Sequence, residues 1–278
     1  MKIGCIIQAR MTSSRLPGKV LKTLDFDLHT NVLEEVIRRI KKVKKIDYII
    51  VATTINGSDN PIIELAKDRG VLYYRGSESN VLERYYKAAE MYNLDHIIRI
   101  TSDCPFVDPE VIGQLIDMYL NNQYDYVSNG LKRTFPHGLD CEMFSWHALE
   151  NAYENGKDIF FKEHVTTYIY GNPDKFTLGS LELSESEDYS NIRITIDTKE
   201  DYIVACIIKH FIGLETSFRK IIELYNKYPF IKMINEGIMQ KKKYTTRKEE
   251  LVDAVEILKL QECTYAAELI AKNLQELS

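Results

Sequence analysis

Ile3-Gly4-Cys5-Ile6-Ile7-Gln8-Ala9-Arg10-Met11-Thr12-Ser13-Ser14-Arg15-Leu16-Pro17-Gly18-Lys19 passes from an apolar run straight into a polar loop. Ile3 to Ile7 reads as a short buried strand rather than a signal peptide. Behind it Arg10, Arg15 and Lys19 share one loop, and cations so close together repel unless an anion sits among them. Gly18 and the small residues Thr12, Ser13 and Ser14 let backbone N–H groups approach such an anion. Arginine grips phosphate oxygens as a bidentate fork and lysine acts as a mobile point charge, so a polyphosphate is the natural partner. A solvated basic loop is the plainer alternative. The buried strand before it, the small residues and Pro17 favour the anion. No G-x-x-x-x-G-K-[ST] and no G-x-G-x-x-G follows the strand, which disfavours a P-loop ATPase and a Rossmann dehydrogenase.

Outward from this loop the first half alternates in type. Asn31 to Lys42 carries Val32, Leu33, Val36, Ile37 and Ile40 at helical spacing, and Tyr48 to Ala52 is a β-rich run. Pro61 to Arg69 reads as a helix closed by Gly70, Val71 to Tyr74 as a strand, and Asn80 to Asn93 as a helix capped by Asn80. A strand over His96 to Thr101, a helix over Pro109 to Asn121 and a strand over Tyr124 to Ser128 complete the series. Such a βαβα order predicts an α/β fold, a mainly parallel sheet flanked by helices, with ligands at the carboxyl ends of the strands. Beyond residue 130 the rhythm loosens. Phe144 to Asn155 looks helical, Phe176 to Leu183 extended, and Ile192 to Ile196 a strand ending at Asp197. Lys241-Lys242-Lys243 precedes a capping box, Thr246 to Glu249, and two amphipathic helices running to about Leu277. The expected division is therefore a body over 1–240 and a C-terminal helical hairpin over 241–278.

Composition narrows the class. The chain has 278 residues, 45% hydrophobic and 28% charged, enough for one large domain or two modest ones with a sizeable core. A net charge of -5 offers no overall attraction to nucleic acid, so phosphate binding must rest on local cations. The five cysteines, Cys5, Cys104, Cys141, Cys206 and Cys263, form no C-x-x-C pair, which argues against a zinc site or a disulfide framework. No apolar stretch nears the roughly 20 residues that span a bilayer. The cytoplasm is the expected location, with neither nucleic acid nor membrane as partner.

Asp103 and Asp197 each stand at the end of a strand-like run, on the edge where the basic loop is expected. Magnesium takes hard oxygen ligands and usually one or two carboxylates, so two aspartates from separate strands suit it. An acid in this position is also a common turn or helix cap. Ala52-Thr53-Thr54 and Arg75-Gly76-Ser77 follow strands as well, and their small side chains and backbone suit recognition of a base edge. Arg84 and Arg99 are further candidates there, although a helix-surface salt bridge accounts equally well for Arg84.

The ordered set of motifs resembles the cytidylyltransferases, in particular the branch named after the spore coat polysaccharide biosynthesis protein F, a homologue of CMP-Kdo synthetase. The likeness begins with Ile6 to Leu21 and continues through Tyr74 to Glu78, Val81 to Tyr86 and Arg99 to Pro105. It returns in Phe135 to Glu142, Lys162 to Thr166 and Arg193 to Thr198, so it covers about residues 1–238. Ser102 departs from the pattern, standing where glycine is common. The resemblance implies a nucleotide-diphospho-sugar transferase fold and transfer of CMP from CTP to a small anionic acceptor, a sugar acid, phosphonate or phosphate, with release of pyrophosphate. It implies nucleotide binding by Gln8, Ala9, Arg10, Ser14, Arg15, Lys19, Ala52, Thr53, Arg75, Ser77, Thr101 and Ser102. It assigns Mg2+ to Asp103 and Asp197, and catalysis to Arg10, Arg15, Lys19 and Asp103. His137, Asp140, Glu142, Glu163 and His164 would line the acceptor side. A homodimer and a role in surface polysaccharide synthesis are compatible with the resemblance.

On this reading an acceptor oxygen attacks the α-phosphorus of CTP in line, and the three loop cations neutralise the departing pyrophosphate. A carboxylate or phosphonate acceptor is already ionised and needs no general base, whereas a sugar hydroxyl does. The histidines and acids of the acceptor set lack the H-x-x-x-H or H-E-x-x-H spacing of a zinc site. Two competing readings remain. A metal-dependent glycosyltransferase using a nucleotide sugar would share the fold, but Asp103-Cys104-Pro105 lacks the second acid of an acid-x-acid pair. A non-catalytic nucleotide sensor would use the helical tail as an interaction module.

Overall fold

The N-terminal apolar run becomes β1 (Ile3–Gln8), buried on both faces in the interior of a seven-stranded sheet. The computed structural model describes residues 1–25, 30–213, 216–238 and 247–276, and the chain divides into two compact units, Met1–Gly237 and Ile238–Ser278. β1 is flanked by β2 (Tyr48–Thr54) and β4 (His96–Thr101), both parallel to it, and β3 (Leu72–Gly76) lies parallel outside β2. Beyond β4 come β6 (Glu142–Ser145), β5 (Tyr126–Ser128) and β7 (Leu178–Ser180). β6 alone runs antiparallel to its neighbours, so the order is β3-β2-β1-β4-β6-β5-β7. The chain builds outward from β1 to β3 and then crosses to the other side at β4. The crevice between the carboxyl ends of β1 and β4 is thus the topological switch point, where open α/β sheets bind ligands.

Side-chain alternation along β1 supplies both faces. Cys5 and Ile7 are fully buried against α1 (Val32–Ile40), α4 (Pro109–Asn122), α6 (Lys199–Ile212) and α7 (Phe218–Lys227). Ile6 faces the opposite core, built with α3 (Val81–Met91) and α5 (Trp146–Asn155). There the Tyr85 hydroxyl donates to Ile6 O at 3.2 Å. α2 is Asn60–Asp68, with Pro61 in its first turn. The Asn80 side chain caps α3 by accepting from Glu83 N at 3.0 Å, as its sequence suggested.

Two expectations need correction. Phe144 and Ser145 do not begin a helix: they end β6, and Ser145 caps α5 through Ala148 N. Ile192 to Ile196 forms no ladder strand; it makes one isolated bridge, Arg193 to His137, outside the strands of the sheet. Its N–H groups go to single carbonyls, Ile194 N to His137 O at 2.7 Å and Ile196 N to Asp103 O at 2.8 Å. The second unit holds α8 (Arg247–Leu260) and α9 (Thr264–Glu276), which pack on each other with Ala267 buried. Glu262 turns between them with φ 58. Lys241, Lys242, Lys243, Thr246 and Leu277 lie outside the described residues.

One ion cluster ties α1 to α6. Glu35, fully buried, accepts from Arg39 Nε at 2.8 Å, Arg38 Nη2 at 2.8 Å and Lys209 Nζ at 3.2 Å. Burial opposes its charge, but Arg38, Arg39 and Lys209 overcome that and hold its pKa low. Removing one member of a buried ion group leaves the others uncompensated. Glu35→Gln is therefore expected to cost about 3–5 kcal/mol of stability, read as a lower urea midpoint at pH 7.

Candidate functional site

Gly18 adopts φ 67, a conformation open to glycine at little cost, and turns the chain into the short helix Lys19–Leu21. That turn sends Lys19 inward while Arg10 and Arg15 stay exposed. The Lys19 ammonium donates to Asp103 Oδ2 at 2.6 Å, Ile196 O at 2.7 Å and Asp197 Oδ1 at 2.9 Å. One cation thus joins the loop after β1, the end of β4 and the segment before α6. Burial works against its charge, but Asp103 and Asp197 outweigh that and raise its pKa. For Asp197, burial favours the neutral acid, yet Lys19, Arg15 and Arg193 bring it down to about 2. Arg15 Nη2 stands 3.0 Å and Arg193 Nη2 2.9 Å from Asp197 Oδ2.

Asp197 is fixed from behind. Arg193 forks onto Asp201 at 2.8 Å through both Nε and Nη2, and Asn235 Nδ2 donates to Asp201 Oδ1 at 2.9 Å. Thr198 and Asp201 form the capping box of α6, so the helix start and the acid are set together. The Thr198-Lys199-Glu200-Asp201 spacing carried that signal; the Arg193 fork did not show in the sequence.

The loop after β1 is anchored by a second acid. Asp59, 1% exposed, accepts from Met11 N at 2.8 Å through Oδ1. Its Oδ2 takes the Thr53 hydroxyl at 3.0 Å, and the Thr54 hydroxyl and N–H. Thr53 is thereby committed to holding the loop, Ala52 is buried, and Ala52 O accepts from Ala9 N at 3.1 Å. Glu78 adds a bridge from Thr12, 2.7 Å, to Asn56, 2.6 Å. Arg75 donates to Thr54 O at 2.9 Å and Asn56 O at 2.8 Å, and Ser77 Oγ accepts from Asn80 N at 3.1 Å. Ser102 is buried with its N–H on Gln8 O at 3.1 Å, the Thr101 hydroxyl meets Cys104 Sγ at 3.2 Å, and Ser14 is exposed. Asp59 and Glu78 were not found from the sequence, because no motif marks a carboxylate that acts on a distant backbone N–H.

On the α3 face of the sheet, Arg99 Nη1 donates to Glu142 Oε1 at 2.6 Å and Arg99 Nε reaches Gln8 Oε1 at 3.4 Å. Glu142 Oε2 is sealed from solvent without a partner, as is Arg133 Nη1. Arg133 pairs with Asp140, which also accepts from Gly138 N at 2.8 Å. Gly138 has φ 107, and a Cβ there would stand 2.5 Å from Thr195 N. Only glycine lets the His137–Glu142 loop lie against the segment that carries Asp197. Glu163, exposed, and His164 sit on a short helix, Ile159–His164, beside α3. The helix ends in a γ-turn of the rare positive-φ kind, Val165 at φ 56 with Thr166 N to His164 O at 2.6 Å. A β-branched residue held there stores strain of a sort that gathers at functional sites.

The oxygens converging on Lys19 Nζ, two carboxylates and one carbonyl, are a hard donor set that fits a magnesium ion. No group of three or more His, Cys, Asp or Glu side chains among the described residues forms a metal cluster. Cys104 beside Asp103 is a buried thiol, its pKa pushed well up by burial and by Asp103 and Asp140, so it stays protonated. No helix among the described residues is long and apolar enough to cross a membrane.

The chain is similar to known proteins along most of its length. The profile of a family described as cytidylyltransferase matches residues 4–251. An uncharacterised protein of Methanocaldococcus jannaschii is 44% identical over 242 residues, 87% of this chain and 97% of its own length. The spore coat polysaccharide biosynthesis protein SpsF of Bacillus subtilis is 34% identical over 230 residues, 81% of this chain and 94% of its own. The solved structure of a cytidylyltransferase from Leptospira borgpetersenii superposes with a TM-score of 0.79 at 35% identity, covering 86% of this chain and all of that one.

His137 offers a direct test of this region's electrostatics. Burial, with Arg133 and Arg193 against the weaker pull of Asp140, lowers its pKa to about 4. The unfolded chain takes up that proton near 6.5 while the folded chain resists until about 4. The contribution to stability is therefore fully present above about 6.5 and is lost as pH falls toward 4. NMR titration of the imidazole should show a neutral ring at pH 5.5; a midpoint near 6.5 would contradict the packing described.

Proposed function

The chain belongs to the cytidylyltransferase family, and from that premise we propose that it transfers CMP from CTP to a small anionic acceptor, releasing pyrophosphate. The observation that carries the reading is the meeting of Lys19 with Asp103 and Asp197 at the switch point of the sheet. An exposed Arg10 and Arg15 beside that centre offer charge to a polyphosphate. Asp103 and Asp197 would hold the magnesium ion, which would supply positive charge against the phosphate oxygens. Arg10, Arg15 and Lys19 bind the β- and γ-phosphates and stabilise the charge that grows on them as the bond to the α-phosphorus breaks. None of these side chains acts as a nucleophile; the acceptor oxygen attacks, and the chain's task is orientation.

The base side is assigned to Ala52, Thr53, Arg75 and Ser77 at the ends of β2 and β3, with Gln8, Ala9, Ser14, Thr101 and Ser102 completing the nucleotide's contacts. Here Ala52 and Thr53 act by fixing the backbone. The acceptor side is assigned to His137, Asp140, Glu142, Glu163 and His164. His137 is neutral at pH 7 and serves as a hydrogen-bonding group, while Glu142 and Arg133 bring one sealed oxygen and one sealed N–H to that side. A sugar acid is the favoured acceptor, and formation of surface polysaccharide, to which the name of the Bacillus subtilis relative refers, is the favoured setting.

The test is pyrophosphate release from CTP and magnesium, with no sugar nucleotide present, against a panel of sugar acids, aminoethylphosphonate and sugar phosphates. One acceptor should support turnover. Lys19→Ala and Asp103→Ala should lower kcat by roughly 100-fold or more while thermal unfolding remains cooperative. Full activity in either variant would remove the site assignment, and no release with any acceptor would remove the reaction.

A further inference from the structure

Arginines in this fold are paired almost everywhere. Among the described side chains each lies against a carboxylate except Arg10, Arg75 and Arg84. These three gather at one place: Arg10 follows β1, Arg75 ends β3, and Arg84 sits in the first turn of α3. Arg84 is the one that burial makes informative. It is 2% exposed, and its only acceptor among the described residues is Ser77 O, at 3.0 Å from Nη1. Its Nε is sealed from solvent with no acceptor at all. The side chain packs beneath Gly76, where a Cβ would stand 3.3 Å from Arg84 Cγ.

The nearby acids do not answer this charge. Asp59 is committed to Met11 N and to two threonines, and Glu78 to Thr12 and Asn56. Burial, followed by the positive charge of Arg10, pulls Arg84 below the usual arginine range, against Tyr85, Asp59 and Glu78. A guanidinium buried without a counter-ion destabilises the free protein relative to an apolar side chain of similar size. Such a group is retained where a ligand supplies the missing charge, and perturbed buried charges of this kind gather at functional sites.

We propose that Arg84 is a positioning residue for the nucleotide, a buried positive charge left uncompensated in the free protein and neutralised by the arriving polyphosphate. Through Ser77 O it also fixes the turn between β3 and α3, so that the turn and the charge are set by one side chain. The inference rests on the nucleotide-binding reading above and adds a residue to it. It assigns Arg84 to the phosphates, not to the base.

The experiment compares wild type, Arg84→Met and Arg84→Lys in two measurements: thermal unfolding without ligand, and calorimetric binding of CTP and of inorganic tripolyphosphate. The methionine variant should unfold at the wild-type temperature or above it. It should bind both ligands roughly tenfold to hundredfold more weakly. The lysine variant, which keeps the charge, should bind tripolyphosphate more tightly than the methionine variant. A methionine variant that fails to fold, or melts below wild type, would show a structural arginine and overturn the proposal. So would unchanged affinity, a loss confined to CTP, or a lysine variant no better than methionine. Wild-type protein that binds neither ligand would instead refute the nucleotide-binding reading on which the proposal stands.

Discussion

A single ammonium group holds the centre of this molecule together. Lys19 Nζ lies within 2.9 Å of oxygens from Asp103, Ile196 and Asp197, so it joins its own loop to two other segments far apart in the chain. Two carboxylates at that separation repel strongly in a partly buried setting, and the lysine turns the repulsion into a joint. The same arrangement explains why the loop cations are not equivalent. Gly18 directs Lys19 inward to the acids, Arg15 braces Asp197 from its exposed side, and Arg10 is left facing solvent.

The sheet order makes that meeting possible. Because the chain reverses direction of growth between β1 and β4, the loops after these strands diverge and leave a crevice. The basic loop enters from one side and Asp103 from the other. The segment carrying Asp197 has no strand partner of its own. It is held by isolated hydrogen bonds to His137 and Asp103 and by the Arg193–Asp201 fork. A segment secured by side chains rather than by a ladder can bring an acid to a place where no strand end arrives.

Behind the site lie carboxylates doing different physical work. Glu35 neutralises cations between helices, Asp201 orients Arg193, and Asp59 satisfies backbone and hydroxyl donors with no cation in contact. Each is buried and each is hydrogen-bonded, the condition under which a buried charge is tolerated. Arg84 Nε departs from that rule, as do Glu142 Oε2, Arg133 Nη1 and Thr167 Oγ1.

Local signals made much of this legible in the sequence. The apolar run at Ile3, the period of Val32 to Ile40 and the Asn80 cap act over a few residues, so pattern alone determined the α/β alternation and the mainly parallel sheet. The clustering of Arg10, Arg15 and Lys19 and the ordered motifs of the cytidylyltransferases were visible for the same reason. Position within the fold was not. The antiparallel β6, the bridge in place of a strand before Asp197 and the tether of Asp59 to Met11 depend on partners dozens of residues away. Such pairs leave no periodicity to read. Residue types and their order belong to the sequence; which charge meets which carboxylate was decided only when the sheet brought distant strand ends to one edge.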